Sequence, residues 1–312
     1  RFCVSYMKLN TVTIFDNEPM PDPEELFIKM RGKKFRSKFD LTKGFWQIMM
    51  AQDSINKTAF VTPDGVYEFV RMPFGLKNST ATFNKLMRKV LDGLEDVGCF
   101  VDDVNEGTDT WEKHIDVMRE YFTRCRNAGL HMRPTKCMIG FQEMDYIGHE
   151  VHEDTLQPRD GKIQEIIDVE RPKTKKQVRS FLGMVSYYNK FIPMYYDIAK
   201  PLVDLTKKKC SNIVKWGQPQ ELAFQTLKSK IAERPILQIV DLTKTMYVQT
   251  DASNDGIGAV LLQQYDDVMH PVRYLSRRLK PAERNYSTIE KECLAIVWVV
   301  EKLQVFLYGR DL

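Results

Sequence analysis

Cys99-Phe100-Val101-Asp102-Asp103-Val104 is a short apolar run broken by two adjacent carboxylates. Neighbouring anions among strand-forming residues repel each other and are costly to desolvate, so a bound divalent cation is their natural compensation. Taken alone, the pair also fits an ordinary hairpin tip, where Asp is common turn chemistry. A third carboxylate tilts the balance. Asp40, in Lys38-Phe39-Asp40-Leu41, closes another apolar segment upstream, and three acids from two strands can hold two metal ions.

The surroundings of these acids predict an α+β layer, with helices on one face of an antiparallel sheet. From Ser79 or Thr80 as N-cap, Phe83, Leu86, Met87, Val90, Leu91 and Leu94 recur at helical spacing and lead straight into the acidic hairpin. A second amphipathic helix is expected over 111–128, with Ile115, Met118, Phe122 and Cys125 inward and Gly129 as its stop. Strands are expected around 137–141 and 145–151, and short ones over 1–20. Pro21 and Pro23 precede a helix over 24–30. Residues 57–62 and 66–70, joined by Pro63-Asp64-Gly65, spell a hairpin. Downstream, Thr174 with Gln177 and Ser287 with Glu290 are capping boxes ahead of apolar helical runs. The stretch holding Trp216 and Pro219 reads as a linker, and 246–250 and 257–262 as neighbouring strands.

Bulk properties narrow the class. The chain has 312 residues, 43% of them hydrophobic, which is material for two or three domains, and it has no eighteen-residue apolar run to span a membrane. No membrane role is expected. It opens on Arg1-Phe2-Cys3-Val4, as the middle of a strand would, with no basic-then-apolar leader. Six cysteines without a C-x-x-C pair or zinc-like spacing suit a reducing compartment. The net charge of +4 is unevenly spread. Lys29, Arg31, Lys33, Lys34, Arg36 and Lys38 fall together with no acid among them, and 157–209 carries twelve Lys or Arg against six Asp or Glu, interleaved with Phe181, Tyr187, Tyr188 and Phe191. Either a solvated helix face or a polyanionic partner accounts for such clusters.

Several motifs in one order carry a resemblance across essentially the whole chain. They are Phe39-Asp40-Leu41 with Gly44-Phe45-Trp46-Gln47-Ile48, Lys57-Thr58-Ala59-Phe60, 71–78 (Arg-Met-Pro-Phe-Gly-Leu-Lys-Asn), Phe100-Val101-Asp102-Asp103, Tyr146-Ile147-Gly148-His149, Arg179-Ser180-Phe181-Leu182-Gly183 and Thr250-Asp251-Ala252-Ser253. With these the chain resembles the pol polyprotein of gypsy-type (Metaviridae-like) long-terminal-repeat retrotransposons, from reverse transcriptase into the start of ribonuclease H. The resemblance implies a right-hand polymerase: partial fingers over 1–38, palm over 39–156 with a fingers hairpin at about 53–72, helical thumb over 157–209 and connection over 210–244. A truncated ribonuclease H-like α/β domain would fill 245–312.

The resemblance also implies RNA-directed DNA polymerase chemistry with two Mg2+ per active site, Mn2+ being an alternative, held by Asp40, Asp102 and Asp103. Hard oxygen donors suit Mg2+. Phe45 would lie beneath the incoming sugar and exclude a 2′-hydroxyl, favouring dNTP substrates, while Phe74 and Gly75 shape the nucleotide pocket and Arg1 grips the triphosphate. Tyr146, Ile147 and Gly148 correspond to a primer grip. The basic thumb would hold an RNA template, a DNA primer/template or an RNA–DNA hybrid by phosphate contacts. Asp251 and Glu292 match two acids of a ribonuclease H metal site whose third acid lies after Leu312, so hybrid cleavage is not expected of this chain alone; Glu290 is left to the helix cap. Other pol or gag modules are implied as partners, and cytoplasmic virus-like particles, or the nucleus, as the location. Against the family pattern, Phe100 stands for Tyr, and Asn105 and Glu106 replace apolar strand residues. One of those two is expected to point into the palm at a cost of a few kcal/mol. Such departures also raise the alternative of a degenerate element copy that binds nucleic acid without catalysis.

Overall fold

The computed structural model describes residues 2–310, which form two compact units, one ending at residue 147 and the other beginning at 148. In the first, α1 (Met7–Val12) and α2 (Pro23–Met30) lead into β1 (Phe35–Asp40). A small hairpin of β2 (Phe60–Thr62) and β3 (Gly65–Tyr67) is followed by α3 (Ser79–Leu91), β4 (Val97–Phe100), β5 (Asp103–Thr108), α4 (Trp111–Asn127), β6 (Met138–Phe141) and β7 (Met144–Tyr146). The principal sheet has the order β4-β5-β1-β6 with antiparallel pairing throughout.

Alternation along these strands assigns the faces. Phe39, Val97, Cys99 and Val104 pack with Phe83, Met87 and Val90 of α3 and Met118, Tyr121 and Cys125 of α4. The opposite face receives α2 through Leu26 and Met30, and glycines at 98 and 107 permit the approach. A Cβ at 98 would stand 2.8 Å from Leu26 Cδ2, and one at 107 would stand 2.9 Å from Met30 Sδ. Arg36 is buried on that face and donates to the carbonyls of Met30 and Gln142.

Four expectations need correction here. Residues 7–12 are helical, not strand. Helix α3 begins at Ser79 behind Asn78, whose side chain instead bonds backbone groups of Ile14 and Asp16, so neither Ser79 nor Thr80 is the cap, and Leu94 lies beyond the helix. In α4, Tyr121 is buried where Phe122 was expected, and Phe122 is exposed. Asn105 and Glu106 are both fully buried, on opposite faces.

In the second unit, β8 (His149–Val151) and β9 (Thr155–Pro158) pair, and β9 also pairs β10 (Leu237–Gln238). Between β9 and β10 run α5 (Asp160–Ile167), α6 (Lys175–Ser186), α7 (Tyr195–Leu205) and α8 (Gln218–Ala232). The Thr174/Gln177 capping box forms. The Trp216 region is not a linker: Pro219 sits in the first turn of α8, where its missing N–H has no helical partner to lose. A three-stranded antiparallel sheet, β11 (Tyr247–Ala252), β12 (Gly256–Tyr265) and β13 (Val268–Arg278), is followed by α9 (Thr288–Lys302) and α10 (Gln304–Leu307). Helix α9 packs through Ala295 onto Ile257 and Leu279. No helix among the described residues is long and apolar enough to cross a membrane.

Candidate active site

The register of β1 against β5 makes Asp40 and Asp103 direct cross-strand partners. Cα atoms in such pairs are about 4.5–5.5 Å apart and their side chains share a face. Phe100 pairs with Asp103, so Val101 and Asp102 form a two-residue turn next to Asp40. Val101 has φ +58°. A positive φ at the first turn position matches the twist of a hairpin but is normally a glycine's place, and a β-branched residue there is strained by about 1–3 kcal/mol. The strained turn presents Asp102 to solvent beside Gly44, where a Cβ would lie 3.6 Å from the Asp102 Cβ.

Facing carboxylates on adjoining strands are destabilising unless neutralised, and two lysines supply the balance. Lys38 Nζ lies 3.1 Å from Asp103 Oδ2, and Lys136 Nζ lies 3.4 Å from Asp40 Oδ2. The negative field of the turn is felt beneath it, where burial and then the charges of Asp102 and Asp103 push the Cys99 thiol up to about 12.

A cavity of about 540 Å³ opens over these groups, walled by Asp40, Asp102, Phe45, Trp46, Phe74, Lys43, Arg133 and Lys136. The Phe45 ring packs against Phe74 at 5.5 Å and Phe83 at 5.7 Å, so its position is fixed from behind. Gln47 ties this wall to the segment before Lys136, donating to the Thr42 and His131 carbonyls and accepting from the His131 N–H. A larger cleft of about 630 Å³ lies between α2 and α3, but only the smaller one gathers two of the three acids with three cations, so the chemistry belongs there.

Other sequence-expected residues are placed as follows. Gly75 is left-handed at φ +93° and sits by Val4 and Tyr6, outside the cavity wall. Arg1 falls outside the described residues. Tyr146 is fully buried against Phe27, with its phenol pushed up by burial, while Ile147 and Gly148 are half-buried and both left-handed. Asp251 is exposed on β11, and Glu292 is half-buried in α9. Glu290 occupies the capping box with Ser287, as expected. Sequence reasoning did not anticipate Lys38, Lys136 and Arg133 at the acids, nor Asp197 of α7. The Asp197 carboxyl is pushed up by burial and then by Asp255 and Asp251.

Three carboxylates are hard oxygen donors of the kind Mg2+ takes. Among the described residues, however, no three acid, histidine or cysteine side chains form a ready-made metal cage. The two facts agree for an ion that completes its shell with water and substrate phosphate rather than with protein alone.

Residues 1–151 match the family described as reverse transcriptase (RNA-dependent DNA polymerase), and 216–312 match the RNase H-like domain found in reverse transcriptase. The chain thus carries a reverse transcriptase domain and an RNase H-like domain. The chain is 40% identical to the retrovirus-related Pol polyprotein from transposon 297 of Drosophila melanogaster, an alignment covering 100% of the chain and 29% of that protein. It is 35% identical to the corresponding polyprotein from transposon gypsy of the same fly, over 99% of the chain and 31% of that protein. With the transposon Tf2-3 polyprotein of Schizosaccharomyces pombe the identity is 31%, over 95% of the chain and 22% of the relative. The chain thus spans under a third of the curated relatives it matches.

Among solved structures, the foamy viral protease-reverse transcriptase dRH in complex with double-stranded DNA superposes with a TM-score of 0.88 at 21% identity, over 99% of this chain and 54% of that one. The foamy viral enzyme with an RNA/DNA hybrid gives 0.86 at 21% identity, over 98% and 41%. These establish the α+β reverse transcriptase fold. The chain corresponds to the reverse transcriptase and RNase H-like regions of retrotransposon Pol polyproteins, and the degenerate-copy alternative is not favoured.

Proposed function

We propose that the chain adds deoxynucleotides to a primer under the direction of an RNA or DNA template, using Asp40, Asp102 and Asp103 to hold Mg2+. The observation that carries this reading is the direct pairing of Asp40 with Asp103, with Asp102 on the adjoining strained turn at the mouth of the cavity. A divalent cation bound there would supply Lewis-acid neutralisation of phosphate charge. The protein's own part is positional. Lys43, Arg133 and Lys136 offer cations to a triphosphate, and the ring of Phe45, backed by Phe74 and Phe83, would stand against a 2′-hydroxyl on the incoming sugar. The basic α6 region supports sequence-blind phosphate contacts, as copying any template requires. The structural neighbours bound to double-stranded DNA and to an RNA/DNA hybrid lend support to such partners.

Extension of a DNA primer on an RNA template with dNTP and Mg2+ tests the reading. Extension that stops on chelation and resumes on Mg2+ addition is expected. Template binding without extension under any divalent metal would contradict it.

A further inference from the structure

The second unit opens with a backbone glycine held from two sides. Gly148 has φ +69°, and a Cβ on it would stand 3.2 Å from Cε1 of Tyr187. Tyr188 donates its hydroxyl to the Gly148 carbonyl at 2.8 Å, although only 2% of the residue is exposed. The neighbouring His149 ring is enclosed by Tyr187, Tyr188 and Phe191, with centroids 5.5, 5.5 and 5.6 Å away. Tyr187 caps α6, so the end of a basic helix and the first peptide of the unit form one piece.

Phenylalanine would fill the Tyr188 site equally well, and a buried phenol gains nothing over it unless the hydroxyl meets a partner. Here that partner includes a main-chain carbonyl in a left-handed peptide, whose orientation the bond fixes. The same glycine and both tyrosines border an open cavity of about 520 Å³ shared with Gly183 and Met184, so the restrained peptide lies at the edge of a space with room for a ligand.

We propose that the Tyr188 hydroxyl is a positioning group for the primer end, acting through Gly148 by holding its peptide at the orientation presented to the terminal nucleotide. The proposal rests on the polymerase reading and on Ile147 and Gly148 as the primer grip. In this role Tyr188 acts through the Gly148 carbonyl that it holds.

The test compares the full chain with Tyr188→Phe in single-nucleotide addition on a primer–template, alongside thermal melting. Misplacing a reacting end by a fraction of an ångström slows chemistry without weakening dNTP binding, so the rate at saturating dNTP should fall about tenfold while the KM for dNTP changes less than about twofold. Melting should move only a few degrees. Gly148→Ala, which presses on Tyr187 from the other end, should give the same split and serves if the tyrosine variant does not fold. An unchanged rate in folded Tyr188→Phe overturns the proposal, as does a loss that vanishes when the assay is cooled below the variant's melting. A parent chain that extends no primer overturns the polymerase reading and this proposal with it, an outcome distinct from an active parent with an indifferent variant.

Discussion

Glu106 offers a quantitative test of the palm-like layer. It stands opposite Ser37 in the β1–β5 register and is fully buried, with neither carboxyl oxygen well aligned to a hydrogen-bond partner among the described residues. His114 Nδ1 lies 3.1 Å away, but that ring already has Thr108 Oγ1 at 2.8 Å and Ser37 Oγ at 2.7 Å. Burial, and then the charge of Asp96, push the Glu106 carboxyl up from 4.5 to about 8, while burial pushes the His114 imidazole down. Both shifts favour a neutral pair over an ion pair. Because the folded state holds the proton more tightly, Glu106 leaves stability intact below pH 4.5 and reduces it as pH rises toward 8. At about 1.4 kcal/mol per tenfold step in proton affinity, the penalty reaches about 3 kcal/mol by pH 7 and at most about 5 kcal/mol above pH 8. Glu106→Gln removes the titration and keeps the shape. Its stability gain over the parent, followed by urea unfolding from pH 5 to 8.5, should therefore grow from under about 1 kcal/mol to several. A gain independent of pH, or a variant less stable than the parent at pH 8, would refute the neutral pair and indicate a buried ion pair instead.

Other perturbations have defined outcomes. Asn105→Val replaces a buried amide with neither polar atom hydrogen-bonded among the described residues, so it should stabilise the first unit by about 1–3 kcal/mol in the same unfolding assay. Lys175→Met removes a buried ammonium that donates to the Lys207 and Cys210 carbonyls at 2.8 and 2.7 Å, and should destabilise by about 2 kcal/mol with a lower urea midpoint. Phe45→Ala opens the wall fixed by Phe74 and Phe83. The preference for dNTP over rNTP, measured as a ratio of kcat/KM, should fall at least about tenfold.

Local signals made most of the site legible. The α3 stripe of Phe83, Met87 and Val90 is buried as its spacing required, and the Asp102-Asp103 hairpin forms where strand-formers meet a turn. What failed was chiefly proline and short alternation. Pro219, read as part of a linker, opens a helix, where a missing N–H is tolerated. That position is not visible without the helix that follows it. The apparent alternation in 7–12 lost to helix because nothing there pairs as a strand. The ion pair of Lys136 with Asp40 bridges 96 residues, and no periodicity reports a contact at that separation. The side-chain demands of Asn105 and Glu106 were visible as misfits, but that both would be buried required knowing that helices cover both faces of the sheet.

The most direct measurement is the rate of single-nucleotide addition by Asp102→Asn beside the parent, on an RNA template with saturating dNTP and Mg2+. Asp102→Asn keeps size and removes the charge of the exposed turn carboxylate, so the rate should fall by at least about a hundredfold with melting nearly unchanged. Addition at the parental rate by the folded variant would contradict the assignment of this carboxylate trio as the catalytic centre.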